Sequence, residues 1–169
     1  MEPFRLDATG PGIRAARISE CGLYRYTLDR AWSRGRKVNW VMLNPSKADA
    51  SRDDPTLKRI IRFSRDWGFG SLVVTNLFAL RSTDPEALRA APDPVGPEND
   101  DTIMRTAEAA DVVCCAWGAH PMTILRGPHV AGRFRAAGIL PRCLGLTANG
   151  SPLHPLRLPT SLVLVPFGG

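Results

Sequence analysis

No apolar run in this chain approaches the ~18–20 residues that a membrane-spanning helix needs, so a transmembrane protein is not expected. The opening residues, Met1-Glu2-Pro3-Phe4-Arg5, lack the basic-then-apolar order of a secretory signal, and a cytoplasmic location is expected. Cysteine is scarce. Cys21, Cys114, Cys115 and Cys143 form no Cys-x-x-Cys pair, which argues against zinc and iron–sulfur sites and, in a reducing compartment, against a disulfide framework. Three histidines, His120, His129 and His154, have no paired ligand spacing, so no metal is expected. Three nucleotide and hydrolase signatures are missing: the Gly-x-x-x-x-Gly-Lys-Ser/Thr phosphate loop, a Gly-x-Gly-x-x-Gly after a strand, and the Gly-x-Ser-x-Gly elbow. No cofactor is expected.

What is present suits one domain of ordinary size: 169 residues, 44% of them apolar. The pattern reads as an extended lead-in over residues 1–17, around Gly10-Pro11-Gly12, followed by a single α/β domain over 18–169, a monomer by default. The formal charge is +6, carried largely by arginines such as Arg25, Arg30, Arg34, Arg36, Arg52, Arg59, Arg62 and Arg65. Guanidinium forks match phosphate oxygens, which favours nucleic acid or phosphorylated small molecules as partners. An arginine-rich proteome that uses arginine on every surface would produce the same balance.

Strand formers at Leu23–Leu28 and a turn at Ser33–Arg36 predict antiparallel strands ahead of the main fold. Val38–Leu43, Leu72–Thr75, Val112–Ala116 and Arg142–Leu146 read as buried strands, and Leu162–Val165 as a short final one. Helices lie between them. Asp54 caps the first and Pro55 takes its first position, with Leu57, Ile60, Ile61 and Ser64 on one face. Thr83–Glu86 opens a short helix, Asn99 or Asp100 caps a third that runs to about Ala110, and a fourth ends near Gly138. Strands that alternate with helices imply parallel pairing with right-handed crossovers. In such sheets ligands sit beyond the carboxyl ends of the strands. That rule selects the residues after Leu43, Thr75, Ala116 and Leu146.

After the first strand, Asn44-Pro45-Ser46 makes a stiff turn that aims a carboxamide out of the sheet. A carboxamide can hold a water but does not readily take its proton. Asp49, Asp53 and Asp54 follow closely and could supply a general base, Asp49 and Asp53 foremost, since Asp54 also caps a helix. After the second strand, Asn76 offers a donor and an acceptor that suit a base edge. After the third, Gly118 in Trp117-Gly118-Ala119-His120-Pro121 permits close backbone approach, next to a helix start that can hold an anion. After the fourth, His154, fixed before Pro155 in a Gly/Pro-rich loop, is a poor core residue and a good donor to developing negative charge. Each segment has a plainer reading as well: a strand-to-loop turn, a satisfied buried Asn, a core Trp. His120 and His129 read as surface residues.

Taken together, the segments Met42–Ser46, Asp53–Thr56, Asn76–Arg81, Pro97–Asp100, Ala116–Gly118 and His154–Leu156 resemble a bacterial and phage domain-of-unknown-function family over about Cys21 to Phe167. Their order is also similar, more distantly, to the uracil-DNA glycosylase superfamily. That likeness implies a three-layer α/β/α fold around a central, mostly parallel four-stranded sheet, with the antiparallel strands added at the N-terminus. It implies that Asn44 positions the hydrolytic water, Asn76 reads the base, and His154 stabilises the departing base anion. Pro45, Ser46 and Phe78 would then border the base, and Arg81, Gly118 and Arg157 would contact phosphate. The aromatic residue that stacks on the base in those enzymes is absent at Ser46-Lys47, which leaves Phe78 or Trp40 for that part. The implied activity is removal of an unusual or damaged base from DNA. The alternatives are a nucleic-acid-binding module without catalysis and an enzyme acting on nucleosides or nucleotides.

Overall fold

In a computed structural model, residues 12–168 are described; residues 1–11 of the expected lead-in, with Gly10 and Pro11, lie outside them. The strands are β1 (Arg14–Ile18), β2 (Arg25–Ala31), β3 (Lys37–Met42), β4 (Ser71–Asn76), β5 (Val112–Cys115), β6 (Arg142–Cys143) and β7 (Val165–Pro166). The helices are α1 (Pro55–Asp66), α2 (Ala87–Ala90), α3 (Asn99–Ala109) and α4 (Thr123–Ala136). They form a mixed α/β fold on one seven-stranded sheet in the order β1-β2-β4-β3-β5-β6-β7. The four central strands β4, β3, β5 and β6 are parallel, while β2, β1 and β7 join antiparallel at the two sides. The sheet is therefore larger than the four central strands with their N-terminal additions. It gains β1, which lies where the sequence shows no periodicity, while the short final strand expected at Leu162–Val165 is β7, at Val165–Pro166 on the far edge.

Alternation along the central strands divides the core in two. Val38, Trp40 and Met42 of β3, Leu72 and Val74 of β4 and Cys114 of β5 pack with Leu57, Ile60 and Phe63 of α1. Val41 of β3 and Val113 and Cys115 of β5 pack on the other side with Ile103 and Ala107 of α3 and Val130, Ala131 and Phe134 of α4. Handedness explains the division. The chain leaves β3 and crosses to β4 on one side of it, then crosses back past β3 to β5. Right-handed crossovers in opposite directions put their helices on opposite faces. Each large apolar side chain that is fully buried contributes about 2 kcal/mol, and Trp40, Tyr26, Phe63 and Phe134 are all below 2% exposed.

Local chemistry sets the element ends. Asp54 Oδ1 accepts the Leu57 amide at 2.8 Å and Pro55 occupies the first helical position, as the sequence predicts. The start of α3 differs from expectation. Glu98 stands at its cap without a side-chain hydrogen bond, and Asn99 is fully buried inside the helix, donating from Nδ2 to the Asn76 carbonyl at 2.9 Å and the Leu77 carbonyl at 3.2 Å. Asn99 thus ties a helix to a strand end instead of capping. β6 stops at Cys143 rather than at Leu146, since Gly145, at φ +138°, turns the chain out of the extended line. No helix among the described residues is long and apolar enough to cross a membrane.

Candidate functional site

Beyond the carboxyl ends of β3 and β4 lies a cavity of about 390 Å³. It opens where the loop leaving β3 runs toward α1 on one face and the loop leaving β5 runs toward α4 on the other, the crevice expected at a reversal of strand order. Asn44, Ser46, Asn76, Trp117, Gly118 and His154 all border it, together with Asp54, the first turns of α1 and the loop at Ser82–Pro85. Four segments spread along the chain from Asn44 to His154 thus converge on one hollow.

The two asparagines are held differently. Asn44 Nδ2 donates to the Pro45 carbonyl at 3.0 Å and to the Ser82 carbonyl at 2.9 Å. With both N–H groups used, its oxygen is the end left to accept. Asn76 is 1% exposed, and neither its Oδ1 nor its Nδ2 has a hydrogen-bond partner among the described residues. A buried amide left in that state costs about 1–3 kcal/mol, which makes it a site feature rather than a structural one. Its backbone is held from behind by Asn99, and Arg126 Nε secures the next carbonyl, that of Leu77, at 3.0 Å.

Asp54 is the carboxylate at this cavity. Its Oδ1 caps α1 and its Oδ2 accepts from Ser46 Oγ at 2.9 Å. The two other aspartates are engaged elsewhere. Asp49 Oδ1 accepts from the Ser51 and Arg52 amides, at 2.8 Å each, and from Ser51 Oγ, and these bonds hold its carboxyl below the usual range. Asp53 Oδ1 takes Arg14 at 2.8 Å and Arg30 at 2.9 Å. Neither borders the cavity, so neither stands where a general base for Asn44-held water is needed.

His154 keeps an exposed edge. Withdrawal of the rest of its ring from water pushes its pKa below the ordinary value, and the nearby Asp54 charge partly opposes the shift. Its Nδ1 accepts the Leu156 amide at 3.2 Å, so the neutral ring carries its proton on Nε2. Gly118 meets this loop directly. Its amide donates to the Pro152 carbonyl at 2.9 Å, its φ is +77°, and an added Cβ would lie 3.4 Å from that of His154.

Several expected residues are not brought to the cavity. Phe78 is 4% exposed in the core under α3 and α4, and Trp40 is fully buried under α1, stacked on Trp67 at 5.6 Å with its Nε1 on Ser64 Oγ at 3.0 Å. Neither borders the cavity to stack on a base. Pro45 is buried and outside the lining, where its carbonyl accepts from Asn44 and Ser82. Arg81 is exposed and bonded to the Gly22 carbonyl at 3.2 Å, and Arg157 is exposed. Trp117 is both core and wall; Gly127 of α4 makes room for it, since a Cβ there would meet the indole at 2.9 Å.

Of the lining residues outside the expected set, two carry side chains of consequence for charge, His120 and Arg25. His120, read as a surface residue, borders the cavity, accepts the Met122 amide on Nδ1 at 3.1 Å and faces Glu86 at 3.2 Å through Nε2. Arg25, at the start of β2, is 4% exposed and forms part of the lining. Its Nη1 reaches the Ala48 carbonyl at 2.5 Å, its Nε is buried without a partner, and no carboxylate among the described residues pairs with it. Burial pushes its pKa down to about 10, with Asp54 acting against the shift, and the group stays charged at neutral pH.

The fold and site define an α/β protein with a polar-floored cavity at the switch point of a mixed sheet. Residues 25–156 match the family described as a protein of unknown function, DUF1643, and the chain belongs to that family. No match emerges among curated proteins or among solved structures.

Proposed function

We propose that the cavity seats a nucleobase and that the protein is an N-glycosidic hydrolase of the DNA-glycosylase kind, acting on a base turned out of the nucleic-acid stack. The observation that carries this reading is the unpartnered, buried Asn76 carboxamide in a cavity that Asn44 and His154 also border. A donor and an acceptor on one rigid amide match the adjacent carbonyl and N–H of a base, and a cavity of about 390 Å³ suits a ligand of that size.

In this reading the Asn44 oxygen holds a water at the sugar carbon. The water oxygen bonds to that carbon as the glycosidic C–N bond breaks, and the bonding pair leaves with the base nitrogen. Asp54, bordering the cavity, takes the water's proton, while the His154 Nε2–H donates a hydrogen bond to the negative base. Exposed Arg81 and Arg157 supply phosphate contacts. The similarity in motif order to uracil-DNA glycosylases supports the same assignment for Asn44, Asn76 and His154.

The test is release of free base from oligonucleotides that carry uracil, hypoxanthine or modified bases. Release by the wild type and a loss of roughly a hundredfold in Asn44→Ala is the expected result. No release across a broad panel overturns the reading. One observation favours a second reading, base binding without turnover: both Asp54 oxygens already accept hydrogen bonds. That reading predicts salt-dependent DNA affinity and no released base.

A further inference from the structure

We infer that Arg25 is the anion-holding residue of this cavity and that, with Asn76, it makes the site prefer a planar heterocycle carrying negative charge over its neutral isostere. The inference rests on the base-binding reading above and names which form of the ring the floor is built to hold.

The lining is rich in donors. The Arg25 guanidinium makes a single hydrogen bond among the described residues, from Nη1 to the Ala48 carbonyl, so most of its five N–H groups are unspent. Asn76 adds an unpartnered amide N–H₂, and neutral His154 adds Nε2–H. Acceptors are fewer: the Asn44 and Asn76 oxygens, and Asp54, already taken by Ser46 and the Leu57 amide. A guanidinium this deep is costly unless paired, and the pairing here is incomplete. Its complement is an acceptor-rich anion with flat edges.

Other charged groups near Arg25 do not replace such a ligand: Asp54, the carboxylate that acts most on it, forms no ion pair with it and spends its oxygens on Ser46 and the Leu57 amide. Arg30, on the same strand, is committed to Asp53. Asp49 spends Oδ1 on its own loop, and His120 faces Glu86. Arg81, which repels Arg25, points to solvent and the Gly22 carbonyl. In the hydrolysis proposed above the bonding pair leaves with the base, so the ring is an anion when the C–N bond has broken. A permanent cation in the cavity wall then stabilises that charge with no proton to supply, while neutral His154 contributes a hydrogen bond only.

The experiment compares uracil with 6-azauracil, an isostere whose ring N–H is ionised at about pH 8.5, where uracil is largely neutral and Arg25 remains charged. Affinities are measured by calorimetry on the full chain, alongside base release from oligonucleotides. The wild type is expected to bind 6-azauracil about tenfold more tightly than uracil, with the ratio falling toward one in Arg25→Met. Arg25→Lys, which keeps the charge and loses the fork, should retain a reduced preference. A wild-type ratio near one, or an unchanged ratio in a folded Arg25→Met, overturns the assignment of Arg25, and detected base release then leaves the hydrolase reading standing. No ring binding together with no base release overturns both. Should Arg25→Met not fold, the wild-type ratio and Arg25→Lys decide.

Discussion

Strand β2 carries two buried arginines at its two ends, and they live differently. Arg30, 3% exposed, is saturated: Asp53 takes its Nε and Nη2, the Asp29 carbonyl takes Nη1 at 2.9 Å, and the Asp49 carbonyl closes the set. Arg25, 4% exposed, has the Ala48 carbonyl and an open cavity. Equal burial with unequal pairing separates a residue that holds the fold from one held by it. Breaking a buried pair from one side costs about 3–5 kcal/mol, whereas replacing a poorly paired buried charge by an apolar group is often neutral or favourable.

The largest expected effect follows from that difference. Asp53→Ala strands the Arg30 charge, and also frees Arg14, so denaturant unfolding should show a loss of about 3 kcal/mol. Arg25→Met should stay within about 1 kcal/mol of wild type while losing ligand preference. Should the two variants destabilise equally, Arg25 belongs with the scaffold and the contrast collapses.

The same contrast divides the asparagines, with a smaller effect. Asn44→Ala takes from the Ser82 carbonyl the side-chain donor it has here and leaves the Pro45 carbonyl with the Ser82 amide alone, and should cost about 1 kcal/mol. Asn76→Leu removes a buried amide with no partner and should raise stability by about 1 kcal/mol while abolishing binding. Thermal melts of the two variants moving in opposite directions would sharpen the division. A destabilised Asn76→Leu would mean that the amide has a structural partner after all.

How much of this was legible beforehand follows from which signals are local. Asp54-Pro55 announces α1 within two residues, and four buried strands between helices announce the parallel centre of the sheet. The strand-end rule then leads to Asn44, Asn76, Gly118 and His154 without coordinates. Arg25 escaped because it stands at the beginning of a strand. β2 runs antiparallel to β4, so its start reaches the same edge as the ends of the parallel strands, and direction of pairing is not written in its composition. Phe78 and Trp40 misled for a related reason. Which side of a strand or loop a ring occupies depends on alternation and on helix placement. Trp40 shares the Val38–Met42 face beneath α1, and Phe78 falls on the face covered by α3 and α4. Asp49 and Asp53 sit a few residues from Asp54, the carboxylate that borders the cavity. Only the turns taken by residues 44–54 decide that Asp54 borders the cavity and they do not.

The smallest effect concerns His154, on which two influences at the cavity act in opposite directions: partial withdrawal from water, and the Asp54 carboxylate, which favours its charged form. The first dominates, so its folded pKa lies below the ordinary value of about 6.5. The native state therefore favours the neutral ring. Its contribution to stability is complete above the ordinary pKa and declines as pH falls through it, because the unfolded chain binds the proton more readily. Histidine NMR should place its midpoint below the ordinary histidine value, and Asp54→Asn, by removing the opposing charge, should move it lower still. A midpoint that rises in Asp54→Asn would mean that the ring and the carboxylate do not share this cavity, and the arrangement that sets Arg25 apart from Arg30 would lose its open side.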